Sequence, residues 1–264
     1  MSKTASDFFL FGVDFGANPG QRELIRQINE DPKRKPVVFC QGDAGTGKTF
    51  AALAGALDLV RGHGTKRKKY KTLYYVREPV EVGHRLGYLK GTEEDKFGPY
   101  LGPLLDNYQH LMARGRAEGV VAANVRQPKK KHAEEEEEGP QHAYAKLPGD
   151  IVPLAPEFLR GRSFENCIII VDEAQNMTLE ELQMLVTRVG EYCKMIILGS
   201  ANQIDVPGQT LEHNDFTIAY EILEPTGLVD MITLTEPMRS GFVQVFDQAF
   251  VQYKKAHPKI AKKE

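Results

Sequence analysis

The chain has 264 residues and a formal net charge of −2, from 34 Lys and Arg against 36 Asp and Glu. That length suits one large α/β domain or two small ones, and the charge balance excludes a global basic footprint, so any nucleic-acid contact must come from local patches. No apolar run reaches the ~20 residues of a membrane-spanning helix, and Phe8-Phe9-Leu10-Phe11 lacks the basic flank and the length of a secretion signal, so a cytoplasmic protein is expected (host cytoplasm if the chain is viral).

Residues 1–20 read as an N-terminal arm that ends in a turn at Asn18-Pro19-Gly20. Gln21 to Asn29 then places Leu24, Ile25 and Ile28 on one helical face. Gln21 stands just ahead of the first strand. A side-chain amide there can offer adenine a donor and an acceptor together; the plainer alternative is a solvated cap. Asp31-Pro32 to Pro36 ends the helix.

Val37 to Cys40 is a short apolar strand, and Gly42-Asp43-Ala44-Gly45-Thr46-Gly47-Lys48-Thr49 follows it. The octet fits G-x-x-x-x-G-K-[ST] at every fixed position, and an Ala/Leu-rich helix from Phe50 to Val60 leaves it. Glycines at 42, 45 and 47 let backbone N–H groups turn inward around a phosphate. The helix N-terminus adds partial positive charge. Lys48 is the cation for the β- and γ-phosphates, and Thr49 is a Mg²⁺ ligand. Residues 42–50, through Phe50, are therefore expected to bind a nucleoside triphosphate.

Lys66, Arg67, Lys68, Lys69 and Lys71 form a basic loop before a strand at Thr72 to Val76. It is either a solvated charge run or a phosphate-tracking patch. Residues 77–91 are rich in glycine and charge, at the strand end where parallel sheets place ligand loops. From Phe97 to Met112 the apolar spacing predicts a helix, with Pro99 and Pro103 near its start. Residues 124–148, with three Lys and then five Glu in runs, read as an exposed insertion. Ile151 to Leu154 is a short strand that Pro153 keeps out of the sheet centre.

Cys167-Ile168-Ile169-Ile170-Val171 is apolar throughout, as a strand buried on both faces must be, and it ends in Asp172-Glu173. Two acids at that point fit a Walker B site: Asp172 for the Mg²⁺ shell, Glu173 to orient and deprotonate water. Thr178 and Glu181 make a capping box for a helix that runs to a C-cap at Gly190. A strand follows from Tyr192 to Gly199. Gln203, beyond it, is the candidate γ-phosphate sensor. Residues 209–228 read as irregular, and Met231 to Leu234 as the fifth core strand. Arg239 on the next loop is the first candidate for an arginine acting in trans, with Arg188 and Arg162 as alternatives. Val243, Phe246, Phe250 and Tyr253 line a terminal helix, and residues 258–264 form a tail. Cys40, Cys167 and Cys193 lack metal-ligand spacing and read as buried reduced thiols.

The P-loop, the stretch Arg160-Gly161-Arg162 to Val171-Asp172-Glu173-Ala174-Gln175-Asn176, and Gln203-Ile204-Asp205-Val206-Pro207 together resemble the PhoH family of P-loop ATPases. Arg77-Glu78-Pro79-Val80-Glu81-Val82-Gly83 is similar to that family's Arg-Pro-x-Val-Glu-x-Gly segment. The resemblance covers most of residues 18–255. It implies ATP hydrolysis on a RecA-like core related to superfamily 1 helicases, with some relatives linked to RNA. Gly199-Ser200 stands where the family usually has Gly-Asp.

The expected fold is thus a single α/β P-loop NTPase domain over residues 21–257, with a RecA-like parallel sheet between helices. Five strands are expected in the order 5-1-4-3-2, Walker B on the third. The expected activity is Mg²⁺-dependent ATP hydrolysis coupled to RNA or single-stranded nucleic-acid remodelling, with Lys48, Asp172, Glu173, Gln203 and Arg239 in catalysis and Thr49 with Asp172 on the metal. A trans arginine implies a homo-oligomeric ring such as a hexamer. The alternative is a nucleotide-dependent binding switch that acts on a protein. No Asn-Lys-x-Asp occurs, which argues against a GTPase.

Overall fold

The computed structural model describes residues 5–62, 68–78, 98–118, 147–159, 161–200 and 214–238, with 245, 246, 249, 252 and 253. A small hairpin comes first, β1 (Phe9–Leu10) and β2 (Val13–Asp14). The main sheet contains β3 (Val37–Gly42), β4 (Thr72–Arg77), β5 (Ile151–Leu154), β6 (Cys167–Asp172), β7 (Lys194–Gly199) and β8 (Val229–Leu234). Its order is β5-β4-β6-β7-β3-β8, and every pair is parallel. The five expected strands take the expected order, 5-1-4-3-2, read as β8-β3-β7-β6-β4. β5 adds a sixth strand at the edge beyond β4. Pro153 has no N–H to donate, and an edge strand needs only one bonded side.

Helices cover both faces: α1 (Pro19–Asn29), α2 (Lys48–Arg61), α3 (Gly102–Ala117), α4 (Leu179–Val186) and α5 (Asp215–Leu223). The two-residue period of a strand divides the core in two. Val38, Cys40, Ile168, Ile170, Ile196 and Leu198 pack with Leu24, Leu53, Leu57 and Leu104 of α1, α2 and α3. Val37, Phe39, Ile169, Val171, Met195 and Ile197 pack on the other side, with Leu182, Leu185 and Phe216 of α4 and α5. Continuous apolar strands are what a sheet covered on both faces requires.

Four expectations need correcting. The N-terminal segment is not an arm: Phe8, Leu10, Phe11 and Phe15 are buried in the core cluster of α2 and α3. Phe11 and Gly12, with φ of 51° and 74°, form the two-residue hairpin loop that folds the segment back. Asn18-Pro19-Gly20 is not a free turn. Asn18 caps α1, its Oδ1 accepting from Gln21 N at 3.0 Å, and Pro19 is the first helical residue, where a missing N–H costs nothing. Residues 209–228 are not irregular throughout. Asn214 caps α5, which buries Phe216 and Ala219. Finally, Gly190 is not a helix cap: α4 ends at Val186, and Val189 bridges to Phe164. A Cβ at Gly190 would lie 2.3 Å from the Phe164 carbonyl oxygen, so the glycine serves a close backbone approach.

In the terminal helix, residues 245, 246, 249, 252 and 253 are helical, and Phe246 and Tyr253 are exposed; Val243 and Phe250 lie outside the described residues, as does most of 124–148. Among the described residues no helix is long and apolar enough to cross a membrane.

Candidate functional site

β3 delivers Gly42 to the loop, and α2 begins at Lys48. Gly45 and Gly47 both have φ of 81°, the left-handed region that other residues resist. Gly42 is required for another reason, because a Cβ there would sit 2.5 Å from the Leu234 carbonyl oxygen. Thr46 closes the turn, its hydroxyl donating to the Asp43 carbonyl at 2.9 Å. Lys48 Nζ donates to the carbonyls of Gly42 at 2.6 Å and Asp43 at 3.1 Å. Burial holds its pKa below the usual lysine range, against the pull of nearby acids that include Glu173 and Asp172. The loop is braced from two sides. Gln21 Nε2 donates to the Thr46 carbonyl at 3.1 Å, and Met238 N–H to the Gly45 carbonyl at 2.7 Å.

β6 brings Asp172 to the same edge of the sheet. Asp172 is buried, and Thr49 donates to its Oδ1 at 3.0 Å. Tyr75, fully buried on β4, donates to Oδ2 at 2.6 Å, and an Arg77 guanidinium nitrogen lies 3.8 Å from that oxygen. Burial, followed by the charge of Glu173, pushes the Asp172 carboxyl above the ordinary aspartate range. Tyr75 is raised well above the phenol range by burial and by Asp172, so it stays a hydroxyl donor. Register explains the group: Arg77 pairs with Asp172 and Tyr75 with Ile170, so Tyr75 and Arg77, two residues apart, leave β4 on the face that carries the carboxylate.

Glu173 has φ of 54°, a left-handed conformation that a non-glycine residue adopts at a cost. It turns the chain out of β6 into the short 3₁₀ turn Ala174–Asn176. Gln175 Nε2 donates to Glu173 Oε2 at 2.7 Å, and Gln175 Oε1 accepts from Ser200 N at 3.0 Å, just past β7.

Residues 16–251 match the sequence profile of the PhoH-like protein family. The chain belongs to the PhoH family. It is 30% identical over 235 residues to a PhoH-like protein of Bacillus subtilis, covering 87% of this chain and 62% of that one. Protein PhoH2 of the same organism is 34% identical over 210 residues, covering 80% and 42%. Protein PhoH of Escherichia coli is 30% identical over 190 residues, covering 72% and 45%. The chain thus spans between 42% and 62% of the length of these PhoH relatives.

In this PhoH chain Thr49 and Asp172 meet, with Lys48 and Glu173 as their immediate neighbours in sequence. Phe50 stands outside the loop, its ring 5.7 Å from that of Phe15. Gln21 is only 2% exposed and its donor half is spent on the P-loop, so in this arrangement the amide positions the loop and does not offer both groups to a base. Gln203, Arg239 and Arg160 lie outside the described residues. Arg162 is exposed, and the Arg188 carbonyl accepts from Phe164 N; Phe164 precedes β6, so both arginines sit at the sheet edge opposite Asp172. Tyr75, Gln175 and Met238 were given no role by sequence reasoning. Tyr75 had no distinguishing signal, since Tyr74 directly before it offers the same hydroxyl; the pairing of β4 with β6 decides which of the two meets Asp172. Gln175 had none beyond its place after the two acids.

Proposed function

We propose that this PhoH chain hydrolyses ATP to ADP and phosphate with Mg²⁺. The observation that supports the reading is the bond between Thr49, the last residue of the glycine-rich loop and the neighbour of Lys48 in sequence, and Asp172 at the end of β6. The two oxygens fit a hard divalent cation: the Asp172 carboxylate is buried, and its direct hydrogen-bond donors are neutral hydroxyls. Thr49 and Asp172 would hold the metal, which when bound neutralises charge on the β- and γ-phosphates. Lys48 exchanges its loop carbonyls for phosphate oxygens. Glu173 accepts the proton of the attacking water as general base. Tyr75 fixes the Asp172 carboxylate by its hydrogen bond.

Coupling to RNA or single-stranded nucleic acid is the further part of the proposal. It draws on the helicase-like resemblance and on the exposed Lys68, Lys69 and Lys71. An arginine supplied in trans, Arg239 first, would make the working form a homo-oligomeric ring.

The test is steady-state ATP hydrolysis with Mg²⁺, with and without single-stranded RNA or DNA, beside Glu173→Gln. Turnover in the wild type and a loss on the order of 10²-fold or more in the variant are expected. Stimulation by one nucleic acid would name the track. Turnover indifferent to both would leave an ATPase with a protein partner. ATP binding without turnover in either protein would overturn hydrolysis and favour the binding switch.

A further inference from the structure

We propose that Gln175 is a positioning residue that sets the orientation of the Glu173 carboxylate and ties it to the end of β7. The inference rests on the reading of Glu173 as the group that acts on water.

Gln175 is 1% exposed, and a buried amide is costly unless both its halves are paired. Both are. The nitrogen donates to Glu173 Oε2 at 2.7 Å and the oxygen accepts from the Ser200 backbone at 3.0 Å. The chain therefore runs carboxylate, amide, backbone, with no flexible link, and Ser200 directly follows the strand that pairs with β6. The left-handed Glu173 contributes the rest. By turning the backbone between β6 and Ala174–Asn176, it lets side chains two residues apart converge. A short bond of 2.7 Å to a charged acceptor is of the stronger kind, and it restricts the carboxylate to one orientation. A general base must meet its proton within hydrogen-bond reach, so that restriction bears on the chemical step more than on nucleotide binding.

The competing role for the amide is to cement β6 to β7 and nothing more. Two substitutions separate the roles. Gln175→Glu keeps the length and an acceptor for Ser200 N–H, but it removes the donor and sets a second carboxylate against Glu173. Gln175→Met loses both bonds at similar size. Steady-state kcat and KM, a fluorescent ATP analogue for affinity, and thermal melting would be measured for each, and for each combined with Glu173→Gln. The expected result is a kcat lowered about 10-fold or more by either substitution, with KM and analogue affinity changed less than about twofold, and no further loss once Glu173 is Gln. A wild-type kcat in Gln175→Glu, with loss confined to Gln175→Met and matched by a lower melting temperature, would show cementing only and overturn the proposal. A weakened affinity with unchanged kcat would also overturn it. If Glu173→Gln alone retained full turnover, the reading of Glu173 would itself be wrong, a failure that the single variant distinguishes from a failure of Gln175.

Discussion

At the scale of single residues, the glycine-rich loop and the Asp172-Glu173 pair were legible because their patterns are local in sequence. A phosphate cradle needs Gly42, Gly45 and Gly47 at fixed spacing, and no distant residue can replace that requirement. What the local pattern did not carry is how those residues are held. Gln21 and Met238 brace the loop from far along the chain, and Tyr75 reaches Asp172 across 97 positions. Lys194 is a comparable case away from the site. It is fully buried at the start of β7 and donates to the carbonyls of Gln27 and Lys35. Burial pulls its pKa from 10.5 to about 8. Below pH 8 the group is charged in both folded and unfolded chains, and the burial cost is fully present. Between about 8 and 10.5 the folded chain binds fewer protons than the unfolded one, so stability rises with pH. Urea unfolding of the wild type and Lys194→Met from pH 7 to 10 should therefore show the difference between them moving toward the wild type across that window. A difference independent of pH would mean that Lys194 titrates normally.

At the scale of elements, strand identity followed from sequence because apolar runs such as Cys167–Val171 demand burial on both faces, while the strand order was an expectation of the RecA-like fold that the family resemblance implied. The misses have a common cause. Phe8, Leu10, Phe11 and Phe15 look like an unattached apolar cluster until α2 and α3 are brought together, and then they fill the space beside them. α5 is short, and its buried side consists of Phe216 and Ala219, too little periodicity to stand out. Gly190 carried a helix-ending signal, but its actual constraint is the Phe164 carbonyl. The N-terminal segment supplies a prediction. Phe15 is fully buried against Phe50, so Phe15→Ala should cost about 3–5 kcal/mol in urea unfolding. A cost below about 1 kcal/mol would show the segment to be an appendage after all.

At the scale of the whole molecule, the six-stranded sheet brings the ends of β3, β4, β6 and β7 to one edge, and that edge holds the candidate site. Binding there should stabilise the entire fold by mass action. ATP with Mg²⁺ at 100 times its dissociation constant adds about 2.7 kcal/mol, which should raise the melting temperature by several degrees. If Glu173 acts on water and not on binding, as proposed, Glu173→Gln should keep that rise, and Lys48→Ala should lose most of it. An equal rise in Lys48→Ala would place the nucleotide elsewhere. The sequence by itself determined the fold class, the core strands and where the glycine-rich loop and the acid pair stand in the chain, since each rests on patterns a few residues long or on burial on both faces; the strand order was implied by the family resemblance. Only the tertiary structure decided that Gln21 holds the loop, that Tyr75 and Arg77 surround Asp172, and that Gln175 joins Glu173 to β7. Those pairings arise from register between strands and from helices packed over them, and separation along the chain hides them from any local reading.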